Sequence, residues 1–168
     1  MINFDSRGYI TPYRNIAVTL QEFEAAFVSN TRRKALYELY LNYTDDLRKI
    51  IGNEFIQWID GSYVTSKEAP EDVDLVTFID VDICKKHEKL LNAFKYPLSK
   101  ENYKTGGNRQ IGKEGYIDAY TVETYPPDHR HYFDYQCNRA YWLEEFSKAS
   151  ANRQGIRHPK GFVEIKFN

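Results

Sequence analysis

The sequence predicts a mixed α+β domain, with a sheet of about four to five strands packed against helices. Three observations carry that expectation. Segments with the 3.6-residue apolar period of a helix alternate with short β-rich runs, in the order α, α, β, β, α, β, α, β. The chain has 168 residues, which suits one domain spanning 1–168, with an N-terminal helical part over about 19–52 and a sheet-bearing part over about 54–168. It also carries 14 Tyr, 10 Phe and 2 Trp, a supply of large apolar side chains that a disordered chain lacks.

The first fifty residues read as helical. Thr19 followed by Glu22 fits a capping box, so a short helix runs from Leu20 to about Val28. Ser29-Asn30-Thr31 ends it and caps a second, in which Ala35, Leu36, Leu39, Tyr43, Leu47 and Ile50 recur every three or four residues. Gly52-Asn53 stops that helix. Phe55–Ile59 is rich in β-formers and reads as a strand ended by Gly61-Ser62. Residues 65–71 are a polar loop, and Val73–Ile79 is a second strand. Lys85–Phe94 reads as a helix with Leu90, Leu91 and Phe94 on its apolar side. Residues 97–115 are polar and glycine-rich and read as a long loop. Tyr116–Glu123 is a third strand, closed by Tyr125-Pro126-Pro127. Asn138–Lys148 is a further helix, 150–160 a basic loop, and Gly161–Phe167 a last strand.

The charge balance narrows the function. With 23 basic and 24 acidic residues the net charge is −1, which argues against a general nucleic-acid coat. No stretch approaches the roughly 18 apolar residues of a membrane span. The start carries Asp5 and Arg7 and has no apolar run, so no secretion signal is expected. Cys84 and Cys137 lie far apart, which speaks against a disulfide framework or zinc site and for a reducing cytoplasm. Both read as buried small apolar residues.

The chemistry concentrates between Gly61 and Val76. Asp72 and Asp74 lie two apart on an expected strand, so both carboxylates face the same way, about 7 Å apart at the backbone. Val73 and Leu75 face the opposite, buried side. Two such carboxylates can converge on hard cations, and Mg²⁺ is held by a few carboxylates plus substrate phosphates. Upstream, Gly61 permits close backbone approach, and Ser62 offers N–H and hydroxyl donors to phosphate oxygens. These parts suffice in principle for phosphoryl transfer, which is mostly positioning and charge stabilisation.

These residues resemble the nucleotidyltransferase superfamily typified by DNA polymerase beta. Its signature is a hydrophobic strand, Gly-Ser, a spacer and an acid–hydrophobic–acid triplet. Here those pieces are Phe55–Ile59, Gly61-Ser62, nine intervening residues and Asp72-Val73-Asp74. Asp118, in Tyr116-Ile117-Asp118-Ala119-Tyr120, matches the superfamily's third carboxylate on a later strand. Tyr125–His129 and Pro159–Ile165 also look like segments of small bacterial nucleotidyltransferase-like proteins. The resemblance implies a polymerase-beta-like palm and a minimal enzyme. It would move NMP from an NTP, ATP by default, to a hydroxyl of a protein side chain, an RNA 3′ end or a small molecule. It further implies two Mg²⁺ (or Mn²⁺) ions on Asp72, Asp74 and Asp118, and phosphates cradled by Gly61 and Ser62. It makes a toxin–antitoxin or defence module, with a partner protein from that module and no membrane, a plausible setting. Two departures stand out. Tyr63–Ser66 lack the Arg or Gly that contacts the triphosphate in many members, leaving Lys67 as the nearest cation, and the chain has no room for the helical domain that binds the base in larger ones.

Other readings stay open. Asp80-Val81-Asp82 repeats the acid triplet, but 17 residues separate it from Ser62, and Asp82 reads as a helix N-cap. The acids of the Gly61–Asp74 segment can also be solvated groups at a hairpin turn. A nucleotide- or partner-binding module without turnover, or a two-metal nuclease, would use the same parts. His129 and His131 are too few for a metal site. Tyr125, Tyr132, Phe133 and Tyr135 suit either base stacking or core packing. Arg153, Arg157, His158 and Lys160 form a basic cluster for phosphate or a solvated loop. The 97–115 segment, with Lys100, Lys104, Arg109 and Lys113, reads as a lid, a docking segment or a plain surface loop.

Overall fold

A computed structural model describes residues 2–168. The chain runs β1 (Asn3–Phe4), β2 (Ile10–Thr11), β3 (Asn15–Ala17), α1 (Leu20–Phe27), α2 (Thr31–Ile51), β4 (Phe55–Asp60), a 3₁₀ turn (Ser62–Val64) and β5 (Asp72–Asp80). It continues with α3 (Val81–Lys86), α4 (Glu88–Leu91), a 3₁₀ turn (Asn92–Phe94), α5 (Leu98–Asn102), β6 (Tyr116–Thr124), α6 (Tyr132–Phe146) and β7 (Phe162–Phe167). The architecture is α+β. A five-stranded mixed sheet has the order β3-β7-β4-β5-β6, and β1 and β2 form a separate hairpin. β4 is antiparallel to β5 and β7, whereas β3–β7 and β5–β6 are parallel. No helix among the described residues is long and apolar enough to cross a membrane.

Strand alternation splits the sheet into two faces. On one, Ile59, Leu75, Ile117 and Val163 pack against the buried stripe of α2, Leu36, Tyr40, Tyr43 and Leu47. On the other, Trp58, Val76, Val122 and Phe162 meet Phe146 of α6. The acids stand on that second face, beside the smaller apolar cluster.

Capping chemistry made α1 and α2 legible. Thr19 and Glu22 form the reciprocal capping box, and the Asn30 side chain accepts from the Arg33 N–H. Other expectations need correction. The N-terminus is not helical throughout: three short strands precede α1, and β3 joins the sheet beside β7. Runs of two or three residues show no period, which hid them. The Lys85–Phe94 helix is α3 and α4 broken at His87. Its N-cap is Asp80, which accepts from the Asp82 N–H, so Asp82 is not the cap. Leu90 points outward, 57% exposed. The 97–115 loop contains α5 and two isolated bridges, Lys104↔Tyr116 and Asn108↔Gly112. α6 begins at Tyr132, six residues before Asn138. Cys84 is buried and its thiol is pushed up to about 11 by that burial, whereas Cys137 is exposed.

Two arginines open α2, at the positive end of its dipole, where cations are disfavoured. Carbonyl oxygens offset that cost. Arg32 donates to the carbonyls of Pro70, Glu71, Ile111, Lys113 and Glu114, fastening the 105–115 segment and the start of β5 to α2. Arg33 donates to the carbonyls of Tyr63 and Thr65, which fixes the turn after Gly61. Arg32→Leu should therefore cost about 2–4 kcal/mol, because it orphans several carbonyls at once. Urea unfolding would measure the loss, and limited proteolysis should cut 105–115 first.

Candidate functional site

β4, β5 and β6 bring carboxylates into one row. Asp60 pairs in register with Asp74, and Asp74 with Asp118. Asp72 precedes Asp74 by two residues on the same face, while Val73 and Leu75 are fully buried on the other. The three acids expected from the sequence thus lie on adjacent strands and share one face. Asp60 joins them, and sequence reading missed it. It follows Trp58 at strand spacing, a signal that was available. The competing pair goes elsewhere: Asp80 lies at the far end of β5 and caps α3.

The row is electrostatically crowded. Burial, with Asp72, Asp60 and Asp118 adding to it, pushes the Asp74 carboxyl up to about 7. Burial likewise raises Asp72, against a hydrogen bond from Tyr116. Asp60 is pushed up to about 6 by burial although Lys160 opposes the rise. Lys160 Nζ donates to Asp60 Oδ2 at 2.7 Å, and the two side chains are 7% and 8% exposed. Lys100, from α5, sits 3.4 Å from Asp118 Oδ2 and 4.1 Å from the Tyr116 ring centre. The other oxygens of Asp60 and Asp118, both Oδ1, are buried without a partner. Such oxygens are unusual in a folded chain and are available to a cation.

The carboxylate donor set fits Mg²⁺ or Mn²⁺ and not a softer metal. Among the described residues, no three His, Cys, Asp or Glu side chains already close round one point as a metal cage. The acids share a face without being drawn together.

Gly61 makes the approach of the turn possible. Its φ is +75°, and a Cβ there would lie 1.7 Å from Asp74 Oδ2. Any side chain would push the carboxylate aside. Beyond it, Ser62 and Lys67 line a cavity of about 360 Å³ together with Arg7, Ser150 and Lys160. Arg7 comes from the β1–β2 turn, which seats on the loop through Ser66 N–H donating to Gly8 O at 2.9 Å. Gly8 has φ +81°, and a Cβ would meet Ser66 Oγ at 1.9 Å. The N-terminal hairpin thereby supplies a cation that Tyr63–Ser66 lack. Its partners Asp5 and Tyr13 hold that guanidinium in place. A second cavity, of about 390 Å³, shares Gly61, Ser150 and Lys160 with the first and reaches Asp74, Tyr120 and Trp142.

The remaining candidates separate. Of the basic cluster, Lys160 lines both cavities. Arg157 is clamped by Glu145 at 3.0 and 3.1 Å, and His158 contacts Arg7. Tyr125 packs against His129 and His131 past the end of β6 opposite Asp118, and Phe133 is exposed. Tyr132 and Tyr135 pack together on α6, and Tyr135 also lies against the Trp58 cluster, so these aromatics do not line the acid row.

The chain belongs to DUF6932, a family of unknown function whose model matches residues 2–166. No curated protein and no solved structure matches it.

Proposed function

We propose that this DUF6932 chain is a metal-dependent nucleotidyltransferase of polymerase-beta-like design, acting on an NTP and a hydroxyl acceptor. The observation that carries the reading is the register of Asp74 with Asp118 beside a turn where Gly61, at positive φ, lets the backbone approach the Asp74 carboxylate. Asp72, Asp74 and Asp118 would hold Mg²⁺ or Mn²⁺, with the partnerless Asp118 Oδ1 among the donors. When bound, the ions supply Lewis-acid charge to the reacting phosphate and lower the pKa of the attacking hydroxyl.

The chain's own groups do the rest. Ser62, Lys67, Arg7 and Lys160 hold the β- and γ-phosphates in the 360 Å³ cavity. The acceptor oxygen attacks the α-phosphorus, and a new P–O bond forms as the bond to the β-phosphate oxygen breaks. The electron pair leaves with pyrophosphate. The hydroxyl proton passes to Asp118 or to water. Cytoplasmic residence, and a partner protein within a toxin–antitoxin or defence module, go with this reading.

One observation favours a second reading, a nucleotide-binding module without turnover. Lys100 and Lys160 already neutralise Asp118 and Asp60 from within the chain. A single experiment separates the two. The protein is incubated with each labelled NTP, Mg²⁺ or Mn²⁺ and cell extract, beside Asp72→Ala/Asp74→Ala. Label transfer by the wild type that the double variant lacks is the expected result. Binding of NTP with no transfer in any extract overturns the enzyme in favour of the module. Labelled mononucleotide released from RNA or DNA would instead indicate a nuclease.

A further inference from the structure

α6 crosses the acid-bearing face with two adjacent aromatics near the row. Trp142 lies 4.7 Å from the Tyr120 ring centre, and Tyr141 5.2 Å from Trp142. Tyr120 follows Asp118 by two residues on the same face of β6, and stacks on Tyr96 from its other side at 5.8 Å and 23°. All three residues, Tyr120, Tyr141 and Trp142, line the 390 Å³ cavity with Asp74. Trp142 also packs on Phe146, which anchors it to the buried cluster. Tyr141 has no such partner beneath it and is 58% exposed. An aromatic wall half open to solvent, next to buried acids, is a poor use of apolar surface unless something planar covers it.

The connection between the two cavities orients that planar group. They meet at Gly61, Ser150 and Lys160, beside Asp74. A nucleotide with its terminal phosphates against Ser62 and Lys67 has its α-phosphate near the acids and its base in the second cavity. α6 supplies aromatic side chains to that second cavity, Tyr141 and Trp142, beside Asp74.

We propose that Tyr141, with Trp142 set edge-on against it at 76°, offers the stacking face for the nucleobase of the donor NTP, an assignment that rests on the nucleotidyltransferase reading above. Every base has a π-face, so a wall of this kind takes any of the four and contributes through stacking rather than edge recognition.

The test is titration of the full chain with α,β-imido analogues of the four NTPs, and separately with inorganic tripolyphosphate, all in Mg²⁺. Tyr141→Ala is expected to weaken the NTP analogues by roughly 5- to 100-fold. It should leave tripolyphosphate within about twofold, and Tyr141→Phe should restore analogue binding. Tyr141 is exposed, so its truncation leaves the core intact. Trp142→Phe, which keeps a ring against Phe146, should cost less than tenfold. Analogue binding unchanged in Tyr141→Ala overturns the platform while leaving the enzyme reading standing, as does an equal loss of analogue and tripolyphosphate. A wild-type chain that binds tripolyphosphate but no NTP analogue, or neither, overturns the nucleotidyltransferase reading itself and the platform with it.

Discussion

Asp74→Asn is expected to abolish transfer, by roughly 10³-fold or more, and to make the protein more stable at pH 8. The two effects have one cause. Asp74 is the most crowded carboxylate of the row, raised to about 7 by burial and by Asp72, Asp60 and Asp118. An unfolded chain ionises an aspartate near pH 4. Between about pH 4 and pH 7 the folded chain therefore binds more protons at this site than the unfolded chain. Stability falls as pH rises through that window, and the full penalty is present above it. Asparagine keeps the shape, removes the charge and removes the penalty, so the variant's melting temperature should rise relative to wild type at pH 8 and differ little at pH 4. Paired melting curves at the two pH values, without added metal, measure it. A variant less stable than wild type at pH 8 would mean that Asp74 is not held against its neighbours' charge. On the proposed reading, the buried charge that would serve the chemistry is the charge that folding resists.

Much of this site was legible in the sequence because strand period and turn chemistry act locally. Asp72 and Asp74 on one face, Val73 and Leu75 on the other, follow from alternation alone. The close backbone approach expected at Gly61 is there, and the structure adds its positive φ and its neighbour Asp74. The missed residues reach the site through register and long-range docking, which spacing does not encode. Asp60 matters because β4 and β5 pair Asp60 with Asp74. Arg7 matters because a two-residue strand pair brings it 55 positions back onto the Ser62 turn. Of the aromatics open to stacking or packing from the sequence, Tyr125, Tyr132 and Tyr135 pack on neighbouring rings and Phe133 is exposed. α6 starts at Tyr132, and its later residues Tyr141 and Trp142 line the cavity that reaches Asp74. The break at His87 and the short α5 rest on tertiary packing, where propensity is a weak guide.

Lys160→Met is expected to destabilise the chain by about 3–5 kcal/mol at pH 8, the cost of leaving a buried carboxylate without its cation. Lys160 is the partner that opposes the rise of the Asp60 carboxyl, which stands at about 6 even with the ammonium 2.7 Å away. Without the lysine, Asp60 rises further and takes up a proton more readily. A carboxyl with a raised folded pKa costs least where it is protonated, so the damage should shrink from pH 8 towards pH 5. The double variant Asp60→Asn/Lys160→Met should recover most of the stability at pH 8, since a neutral amide needs no counter-charge. Recovery of stability need not restore chemistry. Lys160 also lines both cavities, and a stable double variant that still binds tripolyphosphate at least tenfold more weakly would place the ammonium on the phosphates as well as on Asp60. Equal destabilisation of the single and double variants would show instead that the lysine stem's packing, not its charge, holds this corner of the sheet.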